Sequence, residues 1–147
     1  MHYKLRALSL ADAGKVAEIE QRCHPFPMSI ATLESCFGRF YHVIGLEIDG
    51  DLVGFAILHL LFEDVTLMDI CVSPENQGKG LGRVLLDAVV DLAASGGAER
   101  IMLEVRASST AVIRLYERAG FVSTGLRVNY YQHELGKEDA VLMERLL

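Results

Sequence analysis

Between an apolar, strand-like segment and a long amphipathic one, the chain reads Val72-Ser73-Pro74-Glu75-Asn76-Gln77-Gly78-Lys79-Gly80-Leu81-Gly82-Arg83. Glycines at alternate positions ahead of a helix suit one kind of chemistry, the holding of an anion. The first N–H groups of a helix have no carbonyl partner within it, and the positive end of the helix dipole lies there. Glycines keep side chains away so that a phosphate can approach the backbone, and Lys79 and Arg83 can add charge at the rim. Two nucleotide loops are excluded by spacing. A Walker A loop needs GxxxxGK followed by Ser or Thr, which is absent. A dinucleotide fingerprint needs GxGxxG, but here Arg83 stands at the last glycine, and the turn follows several extended segments instead of opening a first βαβ unit. Taken alone, the stretch also reads as a flexible turn with close-packed glycines.

Other side chains have the right chemistry but weaker spacing signals. Glu104 lies in Ile101-Met102-Leu103-Glu104-Val105, where burial would raise its pKa towards the working range of a general base. Strand alternation by itself turns it to solvent. Tyr116 shares a helical face with Val112, Ile113 and Leu115, which suits a core tyrosine with its hydroxyl at the edge. Cys23, Cys36 and Cys71 are odd in number and irregularly spaced, as reduced thiols are. No CxxC or HxxxH pair appears, so no metal site is expected. His2, His24, His42, His59 and His133 form no cluster along the chain.

These residues need elements to position them. Tyr3–Leu10 reads as a strand, followed by a helix from Ser9 or Ala11-Asp12 to about Cys23, with Val16 and Ile19 facing inward. His24-Pro25-Phe26-Pro27-Met28 breaks it, and Ser29 can cap a short second helix from Ile30 to about Phe37. Tyr41–Ile48 and Leu52–Leu61 flank the tight turn Asp49-Gly50-Asp51 as a hairpin. Val65–Val72 is a third strand. Leu81, Val84, Leu85, Ala88, Val89 and Leu92 recur at helical spacing up to Gly96-Gly97. Ile101–Val105 is a strand, Ser108 or Ser109 caps a helix through Ala119, and Phe121–Arg127 and Ala140–Leu146 make a last strand pair. The fold class is mixed α/β: an antiparallel meander, then a strand–helix–strand crossover whose flanking strands run parallel.

The 147 residues, half of them hydrophobic and with no repeat or linker, make one domain over 1–147. A formal net charge of −6 argues against general phosphate-backbone binding, so no direct nucleic-acid partner is expected. It is compatible with a basic protein or peptide. The opening residues lack a signal peptide's apolar core, and no apolar run reaches membrane-span length. The expectation is a soluble, cytoplasmic protein with no membrane partner.

Gln77-x-x-Gly80-x-Gly82 resembles the Q/R-x-x-G-x-G/A signature of the GNAT acetyltransferases, and the order of elements matches that family over about residues 5–145. Several blocks narrow the match to the RimI type, which acetylates the N-terminal alanine of small-subunit ribosomal protein number eighteen. These are Gln21-Arg22-x-His24-x-Phe26-Pro27-x-Ser29, Leu103-Glu104-Val105-Arg106-Ala107-Ser108, Leu115-Tyr116-Glu117-x-x-Gly120-Phe121, Arg127-x-Asn129-Tyr130-Tyr131 and Glu138-Asp139-Ala140. The resemblance implies acetyl-CoA as co-substrate, its pyrophosphate on Gln77, Gly78, Lys79, Gly80, Leu81, Gly82 and Arg83. Its pantetheine arm would pair like an added strand with Ile70, Cys71 and Val72, where the central strands splay, and Ser109 would touch the cofactor. Glu104 would accept the amine proton, Tyr116 would protonate the leaving thiol, and backbone N–H groups around Val72 would hold the oxyanion. Phe26, Met28, Ser29, Tyr130 and Tyr131 would meet the acceptor, a protein or peptide N-terminus with a basic ribosomal protein as the implied partner.

Cys71 would then lie near the acetyl group. With no histidine or other activator placed beside it by any motif, direct transfer is expected over an acetyl-cysteine route. The sequence departs from the family pattern at three places: Gly78 for a larger residue, Ser109 for asparagine and Met28 for tryptophan. The first two bear on cofactor affinity, the third on acceptor choice. Two alternatives stay open: a GNAT enzyme for another terminus, a lysine or a small amine, or a non-catalytic acyl-CoA-binding module.

Overall fold

The computed structural model describes residues 2–147; Met1, counted in the expected single domain, lies outside them. In chain order the elements are β1 (Tyr3–Ala7), a 3-10 turn (Leu10–Asp12) leading into α1 (Ala13–Cys23), α2 (Ile30–Ser35), β2 (Tyr41–Ile48), β3 (Asp51–Leu61) and β4 (Asp64–Val72). They continue through α3 (Leu81–Ser95), β5 (Arg100–Arg106), α4 (Thr110–Arg118), β6 (Val122–His133) and β7 (Gly136–Leu146). One seven-stranded sheet has the order β1-β2-β3-β4-β5-β7-β6, and only β4 and β5, joined through α3, run parallel.

A core lies on each face. The α3 and α4 side packs Leu81, Leu85, Leu86 and Val89 on Leu58, Leu103, Tyr116 and Phe121. On the α1 and α2 side Val16, Ile19 and Leu33 meet Val43, Phe55, Ile57 and Cys71. Each fully buried aliphatic side chain of this kind contributes about 1.5–3 kcal/mol. That stripe on α3, spaced by threes and fours, holds the helix N-terminus against the end of β4.

The parallel pairing is short. Asp64–Leu67 pair with Arg100–Leu103, after which β4 runs on to Val72 and β5 to Arg106 without pairing with each other. The register on β3 shows the cause: Leu58 faces Leu67, but Ile57 faces Asp69, so Met68 is an extra residue in β4. Such a bulge bends its strand and increases its twist, and β4 swings away from β5. The splay implied by the GNAT resemblance is present. Gly54 of β3 permits close packing beside it, since a Cβ there would lie 2.8 Å from the Cys71 carbonyl oxygen.

Several boundaries differ from those read in the sequence. β1 stops at Ala7, and Ser9 turns its N–H to the Asp12 carboxylate (2.9 Å). α2 ends at Ser35. The last strand pair is longer than expected, because Tyr131–His133 pair with Gly136–Glu138 beyond an irregular stretch after Arg127.

Candidate functional site

At the turn, Gly78 (φ +77°) and Gly80 (φ +80°) both adopt the left-handed region, and a Cβ on either would meet nothing within 4 Å. The glycines are therefore required by backbone conformation, and the surface above them is open. Gly80 is the N-cap of α3 without a side-chain cap, and Val84 N–H to Gly80 O (3.3 Å) begins the helical ladder. The N–H groups of Leu81, Gly82 and Arg83 thus have no helical carbonyl to meet. A Cβ on Gly82 would make only ordinary contact with Leu115, at 3.5 Å. Gln77 anchors the turn by donating from Nε2 to the Val72 carbonyl (2.8 Å). Lys79 donates to Asn76 Oδ1 (3.3 Å), and Arg83 is turned along the helix to Asp87 (2.9 Å). The turn thus leaves backbone N–H groups at an open helix N-terminus, an arrangement that can hold an anion.

The free edge of β4 faces the gap. Ser73 donates its N–H to Val53 O on β3 (2.7 Å), so strand alternation turns the backbone groups of Val72 and Ile70 the other way, into the splay. The backbone of Cys71 belongs to the β3 ladder. Ser109 stands at the N-cap of α4, but its hydroxyl makes no capping bond, and neither does any other side chain there. This corrects the expected serine cap; Ser108 instead donates its backbone N–H to Glu138 (3.3 Å).

Glu104 is not in the apolar surroundings expected of it. Its carboxylate lies 2.7 Å from Arg127 Nε at the partly open end of β5, and its backbone oxygen accepts the Tyr131 hydroxyl (3.1 Å). Tyr116 enters from α4 and is 5 % exposed. Burial, with lesser contributions from Asp69, Cys71 and Tyr131, pushes its hydroxyl pKa well up, so the group keeps its proton at neutral pH.

The acceptor residues expected from sequence are brought together by one that was only part of a motif. Arg106 lays its guanidinium 5.5 Å from the Phe26 ring and 4.6 Å from the Tyr131 ring, and it bonds Glu138 Oε1 (3.0 Å). Tyr130 and Tyr131 meet edge to face at 4.9 Å, and Arg127 lies 5.4 Å from Tyr130. Asn129, at φ +54° between Arg127 and Tyr131, marks the irregularity in β6 that gives these rings their positions. Ser29 spends its hydroxyl on capping α2, accepting from Thr32 N–H (3.1 Å). Met28 packs against the α1-side core and donates its N–H to Glu20 (2.9 Å).

Beneath this wall lies a group the sequence did not reveal. Glu20 and His24 of the α1 end face Asp69 and Cys71 of β4, with one donor atom from each within 4.8 Å of the others. His24 Nε2 is 3.2 Å from Cys71 Sγ. An imidazole does therefore stand beside this thiol, contrary to expectation. It does not activate it: the Cys23 hydrogen bond, burial and the two carboxylates all push the Cys71 pKa far up. Burial, reinforced by Asp69, raises Glu20 to about 8. A concavity of about 720 Å³ between β1, β2 and α3 contains none of these residues.

A family model for the acetyltransferase (GNAT) family matches residues 13–121. The chain belongs to that family. GNAT acetyltransferases use acetyl-CoA. The ribosomal protein bS18-alanine N-acetyltransferase of Escherichia coli K12 is 40% identical over 139 residues, 95% of this chain and 94% of the relative. The crystal structure of the Escherichia coli ribosomal-protein-S18-alanine N-acetyltransferase superposes with a TM-score of 0.96 at 38% identity, covering 99% of this chain and 94% of that one. The PaiA N-acetyltransferase of Thermoplasma acidophilum, solved with coenzyme A, shares the fold (TM-score 0.81, 18% identity, 100% of both chains). Among the described residues no helix is long and apolar enough to cross a membrane.

Proposed function

We propose that this protein transfers the acetyl group of acetyl-CoA to the α-amino group of an N-terminal alanine, that of ribosomal protein bS18. The observation that carries the reading is the 40% identity, over 95% of the chain, to the Escherichia coli enzyme of that activity. The acceptor would be a basic ribosomal protein met in the cytoplasm, and the net charge of −6 suits it. The open glycine cradle and the unpaired β4 edge fit the two ends of coenzyme A, with Gln77–Arg83 on the pyrophosphate and Ile70 and Val72 along the pantetheine arm.

Bound there, acetyl-CoA supplies an activated thioester. The chain's residues manage the protons. An α-amino group is largely protonated near neutral pH, and Glu104 accepts the proton it must lose, directly or through water, as its nitrogen bonds to the carbonyl carbon. The Val72 N–H, aimed into the gap, holds the developing oxyanion. Tyr116 keeps its proton in its buried setting and delivers it to sulfur as the carbon–sulfur bond breaks. Phe26, Tyr130 and Tyr131, bridged by Arg106, form the wall along which the acceptor chain lies.

The test is acetyl transfer to a peptide bearing the first residues of bS18, beside the same peptide with a blocked N-terminus and a lysine-only peptide. Transfer to the free terminus alone supports the reading. Tight acetyl-CoA binding without transfer to any of the three would leave a binding module in its place.

A further inference from the structure

We propose that Glu20, His24, Asp69 and Cys71 form a closed, four-coordinate site for a divalent transition metal, zinc in the first instance. The four donors converge from two rigid elements. Glu20 and His24 are one helical turn apart at the end of α1, and Asp69 and Cys71 alternate on one face of β4.

The separations match a coordination shell. His24 Nε2 lies 3.2 Å from Asp69 Oδ1, 3.2 Å from Cys71 Sγ and 3.5 Å from Glu20 Oε1. Cys71 Sγ is 3.4 Å from both carboxylates. Ligands held about 2.0–2.3 Å from a tetrahedral ion are about 3.3–3.7 Å apart; three of these five edges fall in that range, and the two 3.2 Å edges lie just below it.

Hydrogen bonding and nucleophilic catalysis each account for less. A single N–H on His24 Nε2 cannot serve three neighbours at once. In a Cys-His-Asp triad the carboxylate would orient one ring nitrogen while the thiol met the other, yet here all three neighbours surround Nε2. A second observation concerns the same carboxylate: Asp69, with a side chain only 10 % exposed, has Oδ1 against His24 and Cys71 and a buried Oδ2 without any hydrogen-bond partner. An ion drawing on this carboxylate would give that oxygen a role. One thiolate, one imidazole and two carboxylates make a borderline-soft donor set of the kind zinc takes. Four protein ligands leave no open position, so the ion would be structural. It would tie α1 to β4 just past the bulge and take no part in acetyl transfer.

The experiment uses the full chain, reduced and stripped of metal. Zinc titrated by calorimetry should bind at one equivalent, raise the melting temperature and release protons. Cobalt(II) should give the visible bands of a tetrahedral site and a near-ultraviolet thiolate-to-cobalt band. Cys71→Ser should abolish that band, and His24→Gln and Asp69→Asn should each weaken zinc binding at least about tenfold. Cys23→Ser should keep the band, because Cys23 is not among the four converging donors, although its thiol neighbours Cys71 and also reaches the Val72 carbonyl (3.2 Å). Circular dichroism of the metal-free variants separates lost binding from lost folding. The site is overturned if the wild-type protein shows no saturable one-equivalent binding. It is overturned equally by a cobalt complex without the thiolate band, or by affinity unchanged in His24→Gln and Cys71→Ser.

Discussion

Past Leu67, β4 presents a free edge to the splay and one face to α1, and these two regions are built on opposite principles. The edge and the turn after it are open. Their working groups are backbone N–H, set by two left-handed glycines and a bulge, and the turn comes from neighbours in sequence. The α1 face is closed. Its working groups are side chains 45 to 51 residues apart across the interface, with Glu20 only 2 % exposed. An open backbone cradle can take and release a substrate, because nothing must be desolvated or repacked each time. A buried polar cluster cannot, since every group in it needs a partner at all times. The first arrangement suits turnover, the second a fixed structural role.

The largest expected effects are those that separate chemistry from both regions. Glu104→Gln should lower kcat by about 10²–10³ at neutral pH, within the usual contribution of a general base, with the KM for acetyl-CoA unchanged. Tyr116→Phe should lower kcat by about 10–10² and leave cofactor affinity intact. Steady-state kinetics with the bS18 peptide checks both. Wild-type rates in both variants would remove the acid and base roles, leaving proximity in the splay as the source of rate.

A next step tests the cradle. Gly80→Val forces a β-branched residue to φ +80°, at about 1–2 kcal/mol of stability, and should raise the KM for acetyl-CoA about tenfold or more by covering the N–H groups. Gly82→Ala meets only Leu115, at ordinary distance, and should change neither melting temperature nor KM appreciably. If the two variants behave alike, local backbone conformation is not what makes this turn work.

This contrast also explains what the sequence revealed. The turn was legible because a helix stripe, three glycines and their spacing all lie within a few residues, and the bounds of β2 follow from its own pattern. The bulge at Met68 left no local mark, so the splay was legible only through family resemblance. Neither Arg106 between Phe26 and Tyr131 nor His24 beside Cys71 could be read from spacing, because each contact forms between elements distant in the chain. β6 was read too short because its later residues, Asn129 to His133, carry no apolar alternation; pairing with β7 holds them. The ionic partner of Glu104 was hidden for the converse reason. The strand of Glu104 is apolar, yet Arg127, whose guanidinium pairs with its carboxylate, arrives from β6 across β7.

The smallest expected effect concerns the bracket that holds the acceptor wall. The Ser108 side chain first, then the Arg106 guanidinium (3.0 Å) and the Ser108 backbone N–H (3.3 Å), hold the Glu138 carboxyl below its ordinary range. A carboxyl whose folded pKa is depressed adds stability above its unfolded pKa, and that stability is lost as pH falls through the folded value. Glu138→Gln should therefore cost about 0.5–1 kcal/mol at pH 7, with wild type and variant converging below about pH 3. Denaturant unfolding across that range measures the difference. The acceptor KM should rise a few-fold through loosened Arg106, while the KM for acetyl-CoA stays put, since neither residue touches the glycine turn. A change confined to acetyl-CoA instead would mean that the wall and the cradle are one mechanical unit, and that the division of labour along β4 extends no further than its own edge.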